Sequence, residues 1–570
     1  MTILTGNGVS PGIAVGTIHV YSGFQIIPEK NICPPGEERS QLDRYETVKT
    51  KALDELEQIF LAMEIKDPEK AKIFRAHQDI VNDVAINEEI PDKIQNEHWT
   101  GDWAIYKIYE TFLRMVKKAK DPLIAERAAD FEDVRGRLLR LWHGRNNEGL
   151  SVLEKPVIIA AKELLPSDTA SMDPSRVLAI LTETGGLTSH SAIIAKSYGI
   201  PAVLGIQELL DNVKQNQTVV VDADKGKIYL DPEKTIVEDY TKKADAWHKE
   251  REATESFRYI DACTKDNIKI DIAVNIANAD EKELEAAGYA DSVGLFRTEF
   301  LYMGRNDLPG EEEQFSVYKK VLERFGKKPV ILRTLDIGGD KTLQSMELPK
   351  EDNPFLGNRA LRLCFTYPDI FTTQIRACLR ASEYGNLWIM LPMVGSIDDI
   401  RKAKDFIFSV RDNLKKEGKS CGNFKLGIMI EIPSIALMAN IAAKEVDFAS
   451  IGSNDLCQYL CAADRMNGMV EPYYQSYHPA MFRLLKETIE AFSNAGKPIS
   501  ICGELGGDPL AVPVLIGFGI RKLSMGAASV PNVKRIISGF TVTRAEEIAR
   551  KVLEFETAEK IKTYLTDKRL

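Results

Sequence analysis

Two groups of residues in this chain have the types and spacing that chemistry needs. The first is the stretch Gly185-Gly186-Leu187-Thr188-Ser189-His190-Ser191-Ala192-Ile193-Ile194-Ala195-Lys196. The apolar run from Val177 to Thr182 before it predicts a buried strand, and the residues after His190 predict an amphipathic helix. A strand, a glycine pair, hydroxyl residues and then a helix leave the backbone N–H groups of the first helical turn without intrahelical acceptors. Thr188 or Ser189 can cap that end. His190 then stands at the positive end of the helix dipole, where a phosphoryl group on the imidazole is favoured. Taken alone, the stretch reads more readily as a polar cap, so the rest of the chain has to decide.

The second group lies at the ends of apolar runs in the C-terminal half. These ends read Phe296-Arg297-Thr298-Glu299-Phe300; Leu332-Arg333-Thr334-Leu335-Asp336 followed by Gly338-Gly339-Asp340-Lys341; Met429-Ile430-Glu431-Ile432-Pro433; Gly452-Ser453-Asn454-Asp455; and Ile501-Cys502-Gly503-Glu504. Arg297 and Arg333 offer forked donors suited to phosphate and carboxylate oxygens. Glu431 and Asp455 are hard oxygen ligands able to hold Mg²⁺ beside substrate oxygens. Asn454, and Arg465 in Ala463-Asp464-Arg465-Met466-Asn467, add donors for a transferred phosphoryl group. The thiol of Cys502, with an ordinary pKa of about 8.5, is largely protonated at neutral pH and can act as an acid. Together these types suit a small, phosphorylated carboxylic acid bound through Mg²⁺.

The elements that would position these groups follow from periodicity. Apolar runs fit for buried parallel strands occur at 270–276, 293–298, 329–336, 387–394, 425–432, 446–453, 498–503 and 520–525, with stretches between them that each hold a helix. Eight strand–helix alternations predict a (β/α)₈ barrel of TIM type, whose chemistry belongs at the carboxyl ends of the strands. Residues 8–21 predict a short strand or two, and strand character returns at 156–161, 176–184, 218–222 and 228–230. Between them, 37–144 carries long helical periods, with Leu42, Tyr45, Ala52, Leu56, Ile59 and Met63 on one face and further helices at 69–82, 101–119 and 123–143. The bundle of four or so helices therefore reads as an insertion into a small β/α domain that carries His190. Residues 233–258 are charged and helical, with Trp247 and Phe257 as exceptions, and predict a solvated connecting helix.

Composition bounds the answer. A chain of 570 residues is too long for one core and implies about three or four units. Hydrophobic residues at 44% with 28% charged residues describe a soluble globular protein, and a net charge of −10 argues against nucleic-acid binding. No apolar stretch reaches membrane-spanning length, since the best, Leu510 to Ile520, is short and interrupted by Pro513, Gly517 and Gly519. The N-terminal residues lack the basic end and apolar run of a signal peptide, and the eight cysteines have no paired spacing. Both features predict a cytoplasmic protein with reduced thiols. Cys457 and Cys461 are one helical turn apart without a second ligand pair, and read as core residues rather than a zinc site.

Along essentially its whole length the sequence resembles bacterial Enzyme I of the phosphoenolpyruvate-dependent sugar phosphotransferase system. The residues that carry the resemblance are Gly8-Val-Ser-Pro-Gly-Ile-Ala14, Glu126-Arg127-Ala128-Ala129-Asp130, Gly185-Gly186-x-Thr188-Ser189-His190, Gly294-Leu-Phe-Arg-Thr-Glu-Phe-Leu301 and Arg333-Thr-Leu-Asp-Ile-Gly-Gly-Asp-Lys341. They continue with Asn353-Pro-Phe-Leu-Gly-x-Arg359, Ser450-Ile-Gly-Ser-Asn-Asp-Leu456, Ala463 to Asn467 and Cys502-Gly-Glu-Leu505. The resemblance implies a multidomain α/β protein. Its parts would be a swivelling phosphohistidine β/α domain (1–21 and 146–231), an inserted helical domain that binds the phosphocarrier protein HPr (22–145), a helical linker (232–260) and a (β/α)₈ barrel that binds phosphoenolpyruvate and dimerises (261–570). It implies that His190 takes the phosphoryl group from phosphoenolpyruvate on Nε2 and that Cys502 protonates the enolate to pyruvate. It carries over Arg297, Arg333, Arg359 and Arg465 as phosphate or carboxylate binders, Asn454 as a phosphoryl contact, and Glu431 and Asp455 as Mg²⁺ ligands. Thr169, Ser189, Asp336 and Lys341 carry over in supporting roles, and HPr then receives the phosphoryl group.

The pattern departs from the family at Leu187, where an Arg is usual, at Asn358, where a Trp is common, and at Ser453, which replaces Thr. The helical region 64–120 matches loosely, with Ala76-His77 and the apolar residues after it as candidates for the HPr surface. Pyruvate phosphate dikinase and phosphoenolpyruvate synthase share the histidine domain and a related barrel. They also need an ATP-binding domain for which this chain has no room, and no Gly-x-x-x-x-Gly-Lys-Ser/Thr loop is present. A regulatory paralogue without turnover would be favoured by loss of a catalytic residue, and none is lost.

Overall fold

In a computed structural model, the described residues are 2–21, 27–66, 68–117, 128–144, 150, 153, 155–170, 172–186, 189–303, 305, 307–338, 346, 348–349, 351–467 and 469–568. They form two compact units, Met1–Glu250 and Arg251–Leu570.

The first unit holds an eight-stranded sheet made of β1 (Thr2–Thr5), β2 (Asn7–Ser10), β3 (Ile13–Tyr21), β4 (Val157–Ala161), β5 (Val177–Thr182), β6 (Ala202–Leu204), β7 (Thr218–Asp222) and β8 (Lys227–Leu230), in the order β1-β8-β7-β3-β4-β5-β6-β2. β3 and β4 are parallel neighbours, with Ile18 opposite Ile158 and Val20 opposite Ala160, although the whole helical bundle separates them in sequence. That pairing establishes the bundle as an insertion. Its described helices are Glu38–Lys66, Pro68–Val81, Val84–Asn96, Gly101–Lys117 and Ala128–Trp142. Tyr45, Ala52 and Leu56 of the expected face are buried, packed with Ile86, Ile90, Ile94, Ile105 and Leu138. The helix Val84–Asn96 adds to the helices read from the sequence. It contains Pro91, a residue that ordinarily ends a helical pattern, and it starts on the Asp83 carboxylate, which accepts from Ile86 N at 3.1 Å.

Residues 233–258 do not form a uniformly solvated connector. The helix Lys234–Glu255 buries Tyr240 and Ala244, and the Tyr240 hydroxyl reaches Asp222 Oδ2 at 3.2 Å and Tyr229 Oη at 3.1 Å. A Cβ on Gly12 would fall 2.9 Å from the Trp247 ring, so this indole packs directly on the glycine. His77 is fully buried with Nε2 3.2 Å from Asp130 Oδ1, which removes it from the candidate HPr surface. Among the described residues no helix is long and apolar enough to cross a membrane.

The second unit is a closed parallel barrel of β9 (Asp271–Ile276), β10 (Ser292–Arg297), β11 (Pro329–Arg333), β12 (Asn386–Leu391), β13 (Phe424–Ile430), β14 (Phe448–Ile451), β15 (Ile499–Ile501) and β16 (Lys522–Met525), closed by β16 pairing with β9. Each strand falls on one of the eight expected apolar runs. Alternation along the strands sends Leu295, Ile331, Trp388, Met390, Met429, Phe448 and Cys502 into the barrel interior. The opposite faces pack beneath helices such as Glu311–Phe325, Pro368–Ala381 and Pro479–Asn494.

Close packing reaches its limit at Gly294. A Cβ there would lie 2.1 Å from Ser524 Oγ and 2.8 Å from Ala273 Cβ, so a side chain forces β9, β10 and β16 apart. We expect Gly294→Ala to destabilise the barrel unit by about 1–3 kcal/mol. Gly288→Ala, at a position where a Cβ meets nothing within 4 Å, is expected to be near neutral. Denaturant unfolding of the two variants checks this, and equal midpoints would contradict it.

Candidate active site

The helix His190–Tyr198 begins as its sequence demands. Ser189 is the N-cap, its hydroxyl accepting from Ala192 N at 3.3 Å and donating to Gly186 O at 2.8 Å. Gly185, at φ +104°, makes the turn that brings the cap into place. Thr169 is buried and its hydroxyl donates to Pro166 O at 2.9 Å. Leu187, Thr188, Glu126, Arg127, Asp340 and Lys341 lie outside the described residues.

At the carboxyl ends of the barrel strands, a cavity of about 720 Å³ is lined by Arg297, Arg333, Asp336, Glu431, Asn454, Asp455, Arg465 and Cys502. Eight of the residues singled out from five separate strand ends thus meet in one mouth. Arg359 is not in the lining. It lies buried behind it, with a guanidinium nitrogen 3.0 Å from Asp336 Oδ1, another 3.5 Å from Asp455 Oδ1 and 3.2 Å from the Tyr459 hydroxyl. There it pairs with two of the acids that do line the cavity.

The charges are arranged as a lattice. Arg333 donates to Glu299 Oε1 at 2.5 Å and to Asp336 Oδ2 at 2.8 Å, and all three side chains are buried. Burial works against the Arg333 charge, but Asp336, Glu299 and Glu431 more than offset it and hold its pKa above the ordinary arginine value. Arg465 reaches Asp455 Oδ2 at 3.3 Å. Arg297 makes no hydrogen bond or ion pair with the described residues, which leaves its donors for a bound anion. Asn454 accepts from Glu504 N at 3.0 Å through Oδ1, so its amide nitrogen is the end able to donate into the cavity.

Two of the carboxylates could hold a cation. Burial, then the Asp455 and Asp336 charges, push the Glu431 carboxyl up to about 8, against the opposing pull of Arg333 and of the Met393 N–H that donates to Oε1 at 2.6 Å. Asp455 Oδ1 is buried and accepts no hydrogen bond among the described residues. A Cβ on Gly452 would fall 2.9 Å from Glu431 Oε2, so the glycine keeps the space beside that oxygen open. Among the described residues no group of three or more His, Cys, Asp or Glu is arranged as a metal cluster. Glu431 and Asp455 fit a hard divalent cation that completes its shell with substrate oxygens and water.

Cys502 is buried at the end of β15, with Sγ 3.5 Å from Ile451 O. Burial pushes its thiol up to about 11; Glu431 adds to the shift, while a hydrogen bond with Ser450 and the charges of Arg333 and Arg297 oppose it. The group is thus a proton donor throughout the physiological range. Sequence reasoning gave no role to Glu299, which is wholly buried against Arg333, or to Asn275, which lines the cavity from β9. The available signal was a polar residue closing an apolar strand run, as at the other strand ends.

Three family models match in chain order: "PEP-utilising enzyme, N-terminal" over residues 5–127, "PEP-utilising enzyme, mobile domain" over 153–226 and "PEP-utilising enzyme, PEP-binding domain" over 251–542. These place a PEP-binding barrel and a mobile domain in one enzyme chain. A phosphoenolpyruvate-protein phosphotransferase from Bacillus sp. (strain S) is 39% identical over 98% of this chain and 97% of its own. The protein of that name from Bacillus subtilis (strain 168) is 38% identical over 100% of both. A solution structure of Enzyme I aligns at 32% identity over 43% of this chain and 99% of that one, with a TM-score of 0.38. The chain belongs to the phosphoenolpyruvate-protein phosphotransferase family.

The raised thiol has a direct consequence. Alkylation needs the thiolate, so Cys502 is expected to react with iodoacetamide at least tenfold more slowly than free cysteine at pH 7.5, and to accelerate only as the pH rises toward about 11. Mass spectrometry of the Cys502 peptide against time checks this; a rate matching free cysteine would contradict the assignment.

Proposed function

We propose that this chain is a phosphotransferase that moves the phosphoryl group of phosphoenolpyruvate to His190, releasing pyruvate, and then to a histidine of HPr. This is the first step of the sugar phosphotransferase system. The observation that carries the reading is the convergence of arginines, carboxylates and a protonated thiol at one barrel mouth in a chain of this family.

The chain's own residues divide the work. Arg297, Arg333, Arg359 and Arg465 bind phosphate and carboxylate oxygens, with the Asn454 amide as a further donor to the phosphoryl group. Arg359 and Asp336 fix the orientation of Arg333 and Asp455. The bond from phosphorus to the enol oxygen breaks as the bond to His190 Nε2 forms, leaving the enolate of pyruvate. Its C3 takes the proton of Cys502, the enolate oxygen becomes the ketone oxygen, and the thiolate regains a proton from solvent. Glu431 and Asp455 would hold Mg²⁺, which supplies neutralisation of phosphate and enolate charge when bound.

The transfer needs His190 to visit two places. We assign residues 1–21 and 146–231 to the swivelling domain, 22–145 to HPr binding, 232–260 to the linker and 261–570 to the barrel. Thr169 and Ser189 support the histidine helix, and Lys341, outside the described residues, keeps the supporting role that the family resemblance implies. Exposed Leu437, Met438 and Ile441, where the short helices Pro433–Leu437 and Ala439–Glu445 meet, support a homodimer made through the barrel. The chain acts in the cytoplasm, with neither membrane insertion nor nucleic acid as a partner.

Incubated with Mg²⁺ and ³²P-phosphoenolpyruvate, the protein is expected to carry an acid-labile, base-stable label at His190, to lose it to added HPr, and to remain unlabelled as His190→Ala. A folded wild-type chain that takes no label would overturn the reading.

A further inference from the structure

The peptide that carries Cys502 has unusually little support from its own sheet. β15 is three residues long and meets β16 through one register pair, Ile501 with Leu523. On the other side Cys502 N donates to Ile451 O at 3.0 Å, so β14 anchors the amide. The carbonyl is anchored by a side chain from a different strand, for Asn275 of β9 donates through Nδ2 to Cys502 O at 3.1 Å. Asn275 is in turn held by Ser524 of β16, whose hydroxyl donates to Oδ1 at 2.6 Å. A reversed amide would set Oδ1 against the Cys502 carbonyl, so these two partners admit one orientation.

Ser524 is fully buried, and the room for its hydroxyl comes from Gly294, where any Cβ would lie 2.1 Å from Ser524 Oγ. Strands β10, β16 and β9 thus supply in turn a missing side chain, a hydroxyl and an amide, all converging on one carbonyl at the seam where the barrel closes. An apolar seam would close the barrel as well. The polar chain costs desolvation of the Ser524 hydroxyl, and it fixes the Cys502 peptide.

We propose that Asn275, locked by Ser524, is a positioning residue that sets the Cys502 thiol against C3 of the enolate, an inference that rests on the reading of Cys502 as the acid. Phosphoryl transfer to His190 precedes that protonation and does not use the thiol. Loss of Asn275 therefore slows the second step and spares the first.

Rapid-quench single turnovers of the full chain with Mg²⁺ and ³²P-phosphoenolpyruvate separate the two, with label at His190 read beside ketonic pyruvate. In Asn275→Leu the label is expected to appear within about twofold of the wild-type rate, while pyruvate formation falls by about tenfold. Its solvent deuterium isotope effect rises as proton transfer becomes limiting. Asn275→Asp keeps the shape without the donor and should behave alike, and Ser524→Ala should show the same split at smaller size. Far-ultraviolet circular dichroism confirms the fold of each variant, and Ser524→Ala, which removes a single oxygen, decides the matter if the Asn275 variants do not fold. Label and pyruvate falling together, or pyruvate formation unchanged, overturns the inference. No label in the wild-type chain overturns the underlying reading and the inference with it.

Discussion

The barrel mouth depends on the burial of two arginines among carboxylates. Arg333 is held between Glu299 and Asp336, and Arg359 between Asp336 and Asp455. Removing one partner of such a buried pair leaves a desolvated charge and typically costs about 3–5 kcal/mol. Asp336 carries both arginines and is therefore the keystone: it fixes Arg333 at the end of β11, and through Arg359 it fixes Asp455 on the helix that follows β14. Arg465 then attaches through Asp455 at 3.3 Å.

The same lattice sets the charge that a bound anion would meet. Arg297, Arg333 and Arg465, with Arg359 behind them, stand against Glu299, Asp336, Glu431, Asp455 and Glu504, four guanidinium groups for five carboxyl groups. No net positive charge is left for a substrate with a phosphate and a carboxylate, and burial together with the Asp455 and Asp336 charges raises the Glu431 carboxyl. Positioning and charge neutralisation are the main needs of phosphoryl transfer, so a preorganised lattice that a divalent cation completes is an economical arrangement. The thiol obeys a different constraint, since the burial that makes the arginines dependent on partners keeps Cys502 protonated.

Much of this was legible in the sequence, for physical reasons. Strands buried on both faces read as continuous apolar runs, so all eight barrel strands could be placed, and the site lay at their ends because the fold leaves polar groups there. The insertion of the helical bundle was readable from the switch of period and is fixed by the pairing of Ile18 with Ile158. Side-chain partnerships were not readable. Arg359 matched the family as a substrate binder, and the pattern gave no sign that Asp336 and Asp455 are its partners. Nor could pattern show that Tyr240, Ala244 and Trp247 turn one face of a highly charged helix onto a sheet, or that His77 is buried against Asp130. In each case the deciding contact joins residues distant in the chain.

The central claim, a proposal, is that the mouth has no net positive charge until a divalent cation joins Glu431 and Asp455. Calorimetric titration of phosphoenolpyruvate into the protein with Mg²⁺, after chelation, and in Glu431→Gln tests it most directly. The account predicts binding at least about tenfold tighter with Mg²⁺ than without it, and loss of that difference in Glu431→Gln. Equal affinity with and without Mg²⁺ in the wild-type chain would contradict it.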